Sequence, residues 1–134
     1  MCDMKTKRKI GVIDDNPGFV DMLKDFLEIR DFEVSCAFGG LEGFEMVKRE
    51  KPEIVLLDIT MPDMDGRDVI LRLKKDDTLK GIHIIVLTAR DDAQFDREYV
   101  IKLGAYEYIN KPYDNSFLLR QINNILAKKD RGEL

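Results

Sequence analysis

The chain has 134 residues, which is enough for one domain, and its 44% apolar and 36% charged residues are typical of a water-soluble globular protein. The net charge of −4 argues against nonspecific binding to nucleic acid or to an anionic membrane surface. No apolar stretch reaches the roughly 20 residues of a membrane span, and no apolar secretory segment follows residues 1–9. The two cysteines, Cys2 and Cys36, form no motif, so we expect reduced thiols and a cytoplasmic protein.

Short apolar runs alternate with helical patterns along the chain. The runs predicted to be strands are residues 10–13, 33–37, 54–57, 83–88 and 106–110. Residues 1–8 are expected to be a flexible lead, residues 9–127 the domain, and residues 128–134 a flexible tail. Because so few residues follow the domain, we expect either a stand-alone domain or one cut from a longer protein.

A helical pattern follows each of the predicted strands. Asn16-Pro17 supplies an N-cap with proline at the first helical position. The apolar stripe of this first helix comprises Phe19, Met22, Leu23, Phe26 and Leu27. The other helices are predicted after Gly39-Gly40, after Gly66, from Asp91 to Leu103, and after the cap residue Asp114.

Five alternations of strand and helix predict an α/β fold. Its strands would be parallel, joined by right-handed helical crossovers that cover both faces of the sheet. The flavodoxin-like strand order 2-1-3-4-5 suits five such units, and it makes strands 1, 3, 4 and 5 successive neighbours. The sequence therefore predicts a doubly wound, five-stranded sheet with five helices.

Polar residues follow four of the five predicted strands. Asp14 and Asp15 follow strand 1, Asp58 follows strand 3, Thr88 ends strand 4 and Lys111 follows strand 5. These groups should converge, because parallel strands place their carboxyl ends at one edge of the sheet. Three carboxylates close together need a counter-charge, and Mg²⁺ (or Mn²⁺) suits such hard oxygen ligands. A cation beside a carboxylate and a lysine predicts phosphoryl transfer, with the central Asp58 as nucleophile.

These motifs resemble the response-regulator receiver domains of two-component signalling. The resemblance covers residues 9 to about 127. It rests on four motifs, each placed where a strand meets the segment that follows it. They are Asp14-Asp15, Asp58-Ile-Thr-Met-Pro-Asp-Met-Asp-Gly66, Thr88-Ala89 and Gly104-Ala-Tyr-Glu-Tyr-Ile-Asn-Lys-Pro112.

The resemblance implies a role for each matching residue. Asp58 would accept a phosphoryl group from the phosphohistidine of a histidine kinase or phosphotransfer protein. Asp15 would bind the metal directly and Asp14 through water, while Asp58 and the backbone carbonyl of Thr60 would complete its ligands. Lys111 would pair with the phosphoryl group, and the bond between Lys111 and Pro112 would be cis.

The resemblance also implies a switch. The Thr88 hydroxyl would move toward the phosphoryl group, the Tyr108 ring would fill the vacated space, and the surface of helix 4, strand 5 and helix 5 would change. Thr60 and Arg90 would modulate dephosphorylation. We expect an unknown downstream protein as partner, no direct nucleic-acid or membrane binding, and a monomer or a weak phosphorylation-dependent dimer. Catalysis would be limited to the protein's own phosphorylation and dephosphorylation.

Three other interpretations remain open. An intact receiver can serve as a phosphorylation-independent docking module. A phosphatase of the haloacid-dehalogenase type also uses an Asp nucleophile, but it carries a second acid where this chain has Thr60. A nucleotide-binding flavodoxin-like domain needs a phosphate-binding loop after strand 1, where this chain has Asp14-Asp15-Asn16-Pro17. His83, the only histidine, is expected to be a strand-end residue far from the site.

Overall fold

The computed structural model describes residues 7–61, 66–89 and 97–134. Within these ranges the strands are β1 (Arg8–Ile13), β2 (Phe32–Ala37), β3 (Ile54–Leu57), β4 (His83–Thr88) and β5 (Glu107–Asn110). The α-helices are α1 (Pro17–Ile29), α2 (Gly40–Glu50), α3 (Gly66–Lys75), α4 (Arg97–Leu103) and α5 (Asn115–Asp130). A short 3-10 helix, Asp77–Leu79, connects α3 to β4.

The five strands form one sheet in the order β2-β1-β3-β4-β5, and each neighbouring pair is parallel. The predicted fold class and strand order are therefore confirmed. The sheet is aligned so that Ile13 of β1 stands beside Leu57 of β3, and Thr88 of β4 beside Asn110 of β5. The carboxyl ends of these strands thus meet at one edge.

Apolar side chains cover both faces of the sheet. On one face, α2, α3 and α4 pack on the sheet through Met46, Val47, Val69, Ile70, Leu73 and Val100. On the other face, α1 and α5 pack through Val20, Leu23, Leu27, Leu118, Ile122, Ile125 and Leu126. Alternate residues of each strand belong to these two apolar layers. For this reason β3 (Ile54–Leu57) is buried along its whole length.

Local sequence determines where the helices begin and end. The Asn16 side chain accepts a hydrogen bond from the Phe19 N–H, and Pro17 occupies the first helical position, as predicted. Asp114 caps α5 by accepting from the Ser116 N–H. Gly104 ends α4 with a φ of +129°, a conformation that favours glycine. None of the helices in the described ranges is long and apolar enough to cross a membrane.

Both ends of the fold extend beyond the predicted boundaries. β1 begins at Arg8, whose guanidinium donates two hydrogen bonds to Glu53 and one to Asp130. Helix α5 continues to Asp130, and the Lys129 ammonium donates to the Gly81 carbonyl. Charged residues were predicted to be flexible here because sequence patterns do not show such long-range pairs.

One helix prediction also needs correction, and the predicted start of another helix lies outside the described ranges. Met22 was placed on the inward stripe of α1, but its side chain is 44% exposed, and Val20 is buried instead. The fourth helix was predicted to begin at Asp91; its described part is Arg97–Leu103, and residues 90–96 lie outside the described ranges. Cys36 forms no disulfide within the described ranges, and Cys2 lies outside them.

Candidate functional site

Backbone hydrogen bonds hold the predicted polar residues at one edge of the sheet. The Asp14 N–H donates to the Ala37 carbonyl, and the Asp58 N–H donates to the Ile13 carbonyl. These bonds fix the first residues after β1 and β3 as an extension of the strand ladder. Asp58 therefore follows the central strand β3, which is buried throughout, and Asp14 follows its neighbour β1.

Three carboxylates converge at this edge, as the sequence predicted. Oxygen atoms of Asp14, Asp15 and Asp58 all lie within 4.8 Å of one another. Asp14 is 2% exposed and Asp58 is 7% exposed, whereas Asp15 faces solvent. Such a cluster concentrates negative charge in a poorly solvated place and requires a compensating cation.

Lys111 supplies part of that compensation. Its ammonium nitrogen lies 2.6 Å from Asp14 Oδ2 and 3.6 Å from Asp58 Oδ2. The Lys111 N–H donates to the Thr88 carbonyl, which keeps the residue beside the end of β4. Burial raises the pKa of the Asp14 carboxyl above its usual value, although the Lys111 and Asn16 hydrogen bonds act in the opposite direction.

The two oxygens of Asp58 have different environments. Asp58 Oδ1 accepts hydrogen bonds from the Thr60 N–H at 3.0 Å and from the Thr60 hydroxyl at 2.9 Å. Asp58 Oδ2 is the oxygen nearer to the Lys111 ammonium. Thr60 thus orients the carboxylate and leaves Oδ2 on the cationic side of the site.

The donor set fits a hard divalent cation. Asp14, Asp15 and Asp58 offer carboxylate oxygens, and the single ammonium of Lys111 does not balance three negative charges. Mg²⁺ prefers such oxygen ligands and is usually held by only one or two carboxylates together with water and phosphate. Whether the Thr60 carbonyl would join them stays a prediction.

The two predicted switch residues lie on adjacent strands. Thr88 is fully buried at the end of β4, and Tyr108 is half-buried in β5 beside Val86. Tyr108 packs against the apolar layer formed with α2, α3 and α4. Arg97 of α4 forms an ion pair with Glu107, which also accepts the Tyr108 N–H. Arg90, the other predicted modulating residue, lies outside the described ranges.

Aromatic residues contribute to the site in a way that sequence reasoning missed. The Lys111 ammonium lies 3.9 Å from the centroid of the Phe19 ring, and that ring packs edge-to-face on Tyr113. Burial raises the pKa of Tyr113 to about 12, so its hydroxyl stays neutral. Phe19 was predicted only as part of the apolar stripe of α1. Its position in the first turn of α1, soon after Asp15, is the sequence feature that could have indicated a place beside the site.

The bond between Lys111 and Pro112 is cis, as the resemblance implied.

Comparison with known proteins agrees with this geometry. The model of the response regulator receiver domain family matches residues 10–123. Protein PilH of Pseudomonas aeruginosa is 34% identical over 119 residues, which cover 89% of this chain and 98% of PilH. The chain therefore belongs to the response regulator receiver domain family, as the motifs indicated.

Solved structures show the same architecture. A CheY-like receiver domain protein from Methanospirillum hungatei superimposes with a TM-score of 0.87 at 26% identity, covering 95% of this chain and 99% of that one. The BeF3-activated receiver domain of RstA from Klebsiella pneumoniae gives a TM-score of 0.81 at 28% identity, covering 89% and 98%. This protein is a signalling receiver domain of a two-component system rather than an enzyme in the usual sense.

Proposed function

We propose that this receiver accepts a phosphoryl group on Asp58 from the phosphohistidine of a kinase or phosphotransfer protein. The observation that carries the proposal is the environment of Asp58. Its carboxylate is nearly buried at the end of the central strand, with the Lys111 ammonium 3.6 Å from Oδ2 and two further carboxylates close by. A buried carboxylate beside an ammonium group and a cluster of further carboxylates that could hold a metal ion suits in-line attack on phosphorus.

The transfer breaks one bond to phosphorus and forms another. Asp58 Oδ2 attacks phosphorus because Oδ1 is engaged by both donors of Thr60. A P–O bond forms, the P–N bond breaks, and its electron pair returns to the ring nitrogen. The imidazole leaves as a neutral ring, because its other nitrogen carries the proton.

Lys111 stabilises the charge that gathers on the phosphoryl oxygens. In the unphosphorylated protein its ammonium pairs more closely with Asp14, at 2.6 Å, than with Asp58, at 3.6 Å. A phosphoryl group on Asp58 adds negative charge on the far side of the ammonium. We expect Lys111 to turn from Asp14 toward that group.

Asp14, Asp15 and Asp58, together with the Thr60 carbonyl, would hold Mg²⁺ (or Mn²⁺). When bound, the ion neutralises phosphoryl oxygens during transfer. The contribution of this chain is to hold three carboxylates within 4.8 Å of one another, at a place where Asp14 is 2% exposed. Without a bound cation, this arrangement would repel an incoming phosphate group.

Intact mass spectrometry tests acceptance directly. The purified protein would be incubated with acetyl phosphate, with and without Mg²⁺, beside the variants Asp58→Asn and Asp25→Asn. Asp25 is an exposed carboxylate of α1 and serves as the matched control. We expect one phosphoryl adduct in the wild-type protein and in the Asp25 variant with Mg²⁺, and none in the Asp58 variant. An unlabelled wild-type protein would favour the docking-module interpretation.

The proposed output is a change in the surface of α4, β5 and α5. Thr88 and Tyr108 lie on neighbouring strands, and the ion pair between Arg97 and Glu107 joins α4 to β5 beside Tyr108. Drawing Thr88 toward the phosphoryl group would change the space available to the Tyr108 ring. To act as a switch, phosphorylation must favour the active arrangement by a few kcal/mol.

Beryllofluoride tests this output, since the similar RstA receiver is BeF3-activated. Amide NMR spectra would be recorded with and without beryllofluoride and Mg²⁺. We expect the shifts outside the site to concentrate in α4, β5 and α5. Shifts confined to the loops that carry Asp14, Asp58 and Lys111 would contradict the proposed output surface.

Thr60 offers a test of phosphoryl lifetime. Its hydroxyl donates to Asp58 Oδ1 at 2.9 Å, so it contacts the carboxyl group that would carry the phosphoryl group. We propose that Thr60 and Arg90 modulate dephosphorylation. A phosphate-release assay should show a changed phosphoryl lifetime in both Thr60→Ala and Arg90→Ala. An unchanged lifetime in either variant would show that the replaced residue does not modulate dephosphorylation.

We also propose that the protein works in the cytoplasm with an unidentified downstream protein, as a monomer or weak phosphorylation-dependent dimer.

A further inference from the structure

The ring of Phe19 lies against the cation of the proposed phosphoryl-transfer site. The Lys111 ammonium is 3.9 Å from the centroid of this ring. The same ammonium is 2.6 Å from Asp14 Oδ2 and 3.6 Å from Asp58 Oδ2. A cation so close to the face of an aromatic ring is attracted by the negative charge density of that face. The Lys111 ammonium is therefore held by two carboxylates and by one aromatic face.

Phe19 is itself held in place at both its backbone and its ring. Its N–H donates to the Asn16 side chain at 3.1 Å, which fixes it in the first turn of α1. Its ring packs edge-to-face on Tyr113, with the centroids 6.4 Å apart and the planes at 83°. The buried Tyr113 hydroxyl has no hydrogen-bond partner among the described residues, so Tyr113 contributes its ring here. The ring of Phe19 thus has a defined place beside Lys111.

Lys111 has to turn during the proposed reaction. Its ammonium pairs with Asp14 in the unphosphorylated protein, and we expect it to turn toward a phosphoryl group on Asp58. An aromatic face attracts the whole cation and does not engage one particular N–H group, so the ammonium can turn without leaving the ring. A lysine side chain loses much rotational entropy when it is held in one place. A contact that persists through the turn means that this cost does not arise during transfer.

We infer that Phe19 is a positioning residue for phosphoryl transfer, whose ring holds the Lys111 ammonium beside Asp58. The inference rests on the proposed function and adds to it a residue that acts through Lys111. Phe19 takes part in no bond to phosphorus. Its contribution is that the ammonium is already ordered when the phosphodonor arrives, which lowers the entropic part of the barrier. Loss of the ring should therefore slow transfer only as long as residue 111 carries a positive charge.

The same helix offers a matched control in Phe26. The guanidinium carbon of Arg30 lies 3.8 Å from the centroid of the Phe26 ring, so this ring also holds a cation. Phe26 is partly buried, as Phe19 is, and packs against the same apolar layer. It lies about two helical turns further along α1, away from the carboxylate cluster. Phe26→Leu therefore removes a comparable packing and cation contact without touching Lys111.

A double-mutant cycle between Phe19 and Lys111 tests the inference. Initial rates of phosphorylation by acetyl phosphate with Mg²⁺ would be measured for the wild-type protein, Phe19→Leu, Lys111→Met, the double variant and Phe26→Leu. We expect the rate to fall about fivefold in Phe19→Leu, as suits the loss of one cation–π contact, and to stay unchanged in Phe26→Leu. In the Lys111→Met background, Phe19→Leu should cause no further loss, because the ring then has no cation to hold.

A second series keeps the shape of the ring and changes only its charge distribution. Fluorine atoms introduced on the ring of residue 19 alone withdraw charge from its face, so we expect the rate to fall with each added fluorine. This series decides the question if Phe19→Leu does not fold or if Lys111→Met is labelled too slowly to measure.

Either of two results would overturn the inference while leaving the proposed function intact. One is an equal loss for Phe19→Leu in the presence and in the absence of the lysine. The other is a trifluorinated protein that is labelled as fast as the wild type. No labelling of the wild-type protein would contradict the proposed function, and the inference with it.

Discussion

Replacing Lys111 with methionine should expose the electrostatic cost of the carboxylate cluster. Methionine keeps most of the length and the apolar stem of lysine but removes its charge. Asp14 and Asp58 are 2% and 7% exposed, and Lys111 is the cation that the described structure places between them. The variant therefore leaves buried carboxylates without their partner.

The expected magnitude follows from burial. Removing one partner of a buried ion pair typically destabilises a protein by about 3–5 kcal/mol. The Lys111 side chain is 18% exposed, so we expect the lower end, about 3 kcal/mol, in metal-free buffer. The loss should shrink at acidic pH, because burial raises the pKa of Asp14 and protonation then relieves the repulsion.

Urea unfolding with EDTA or with Mg²⁺ measures this effect. Mg²⁺ should stabilise the variant more than the wild-type protein, because a cation in the carboxylate cluster replaces the missing ammonium. An ion that binds only the folded protein raises the free energy of unfolding by about 2.7 kcal/mol when its concentration is 100 times its Kd. Lys80→Met is the control, since the Lys80 side chain is 68% exposed and forms an ion pair with the exposed carboxylate of Asp77. A loss under about 1 kcal/mol for Lys111→Met, or equal Mg²⁺ stabilisation of both proteins, would show that Lys111 does not offset the charge of the buried carboxylates.

Two further predictions concern stability away from this lysine. Gly66→Ala should strongly destabilise the fold, because an added Cβ would lie 2.3 Å from the Cα atom of Ile59. Gly81→Ala should be tolerated, because nothing lies within 4 Å of its Cβ position. Equal urea midpoints for the two variants would contradict this difference. His83 has its pKa lowered below 6.5 by burial and then by Lys129 and Lys74. Its neutral form is therefore favoured in the folded state, so stability should fall as pH drops below 6.5, and His83→Gln should show less of this loss in urea titrations at successive pH values.

The arrangement of the sheet could be predicted because alternating strand and helix patterns leave few topologies. The apolar run 54–57 indicated a strand buried on both faces, and β3 is buried throughout. The boundary at Arg8 could not be predicted in the same way, because a charged residue joins a strand here through pairing with Glu53 and Asp130, far away in sequence. Met22 was misplaced for a related reason: periodicity shows a helix face but not what lies opposite each residue.

The convergence of the site residues could also be predicted. Asp14, Asp58 and Lys111 follow parallel strands, so topology alone brings them to one edge of the sheet. Their pairing could not be predicted, because side-chain conformations decide that Lys111 is closer to Asp14 than to Asp58. The contact between Lys111 and the Phe19 ring depends likewise on how α1 packs beside the β5–α5 loop.

The most direct test of the account is to locate the phosphoryl group after reaction with a phosphoramidate donor and Mg²⁺. Borohydride reduces an acyl phosphate to the corresponding alcohol, so a phosphorylated aspartate becomes homoserine and can be found by peptide mapping. We expect homoserine at residue 58, and none in a sample prepared without donor. Homoserine at Asp14 or Asp15, or a phosphorylated protein in which residue 58 remains aspartate, would show that Asp58 is not the acceptor.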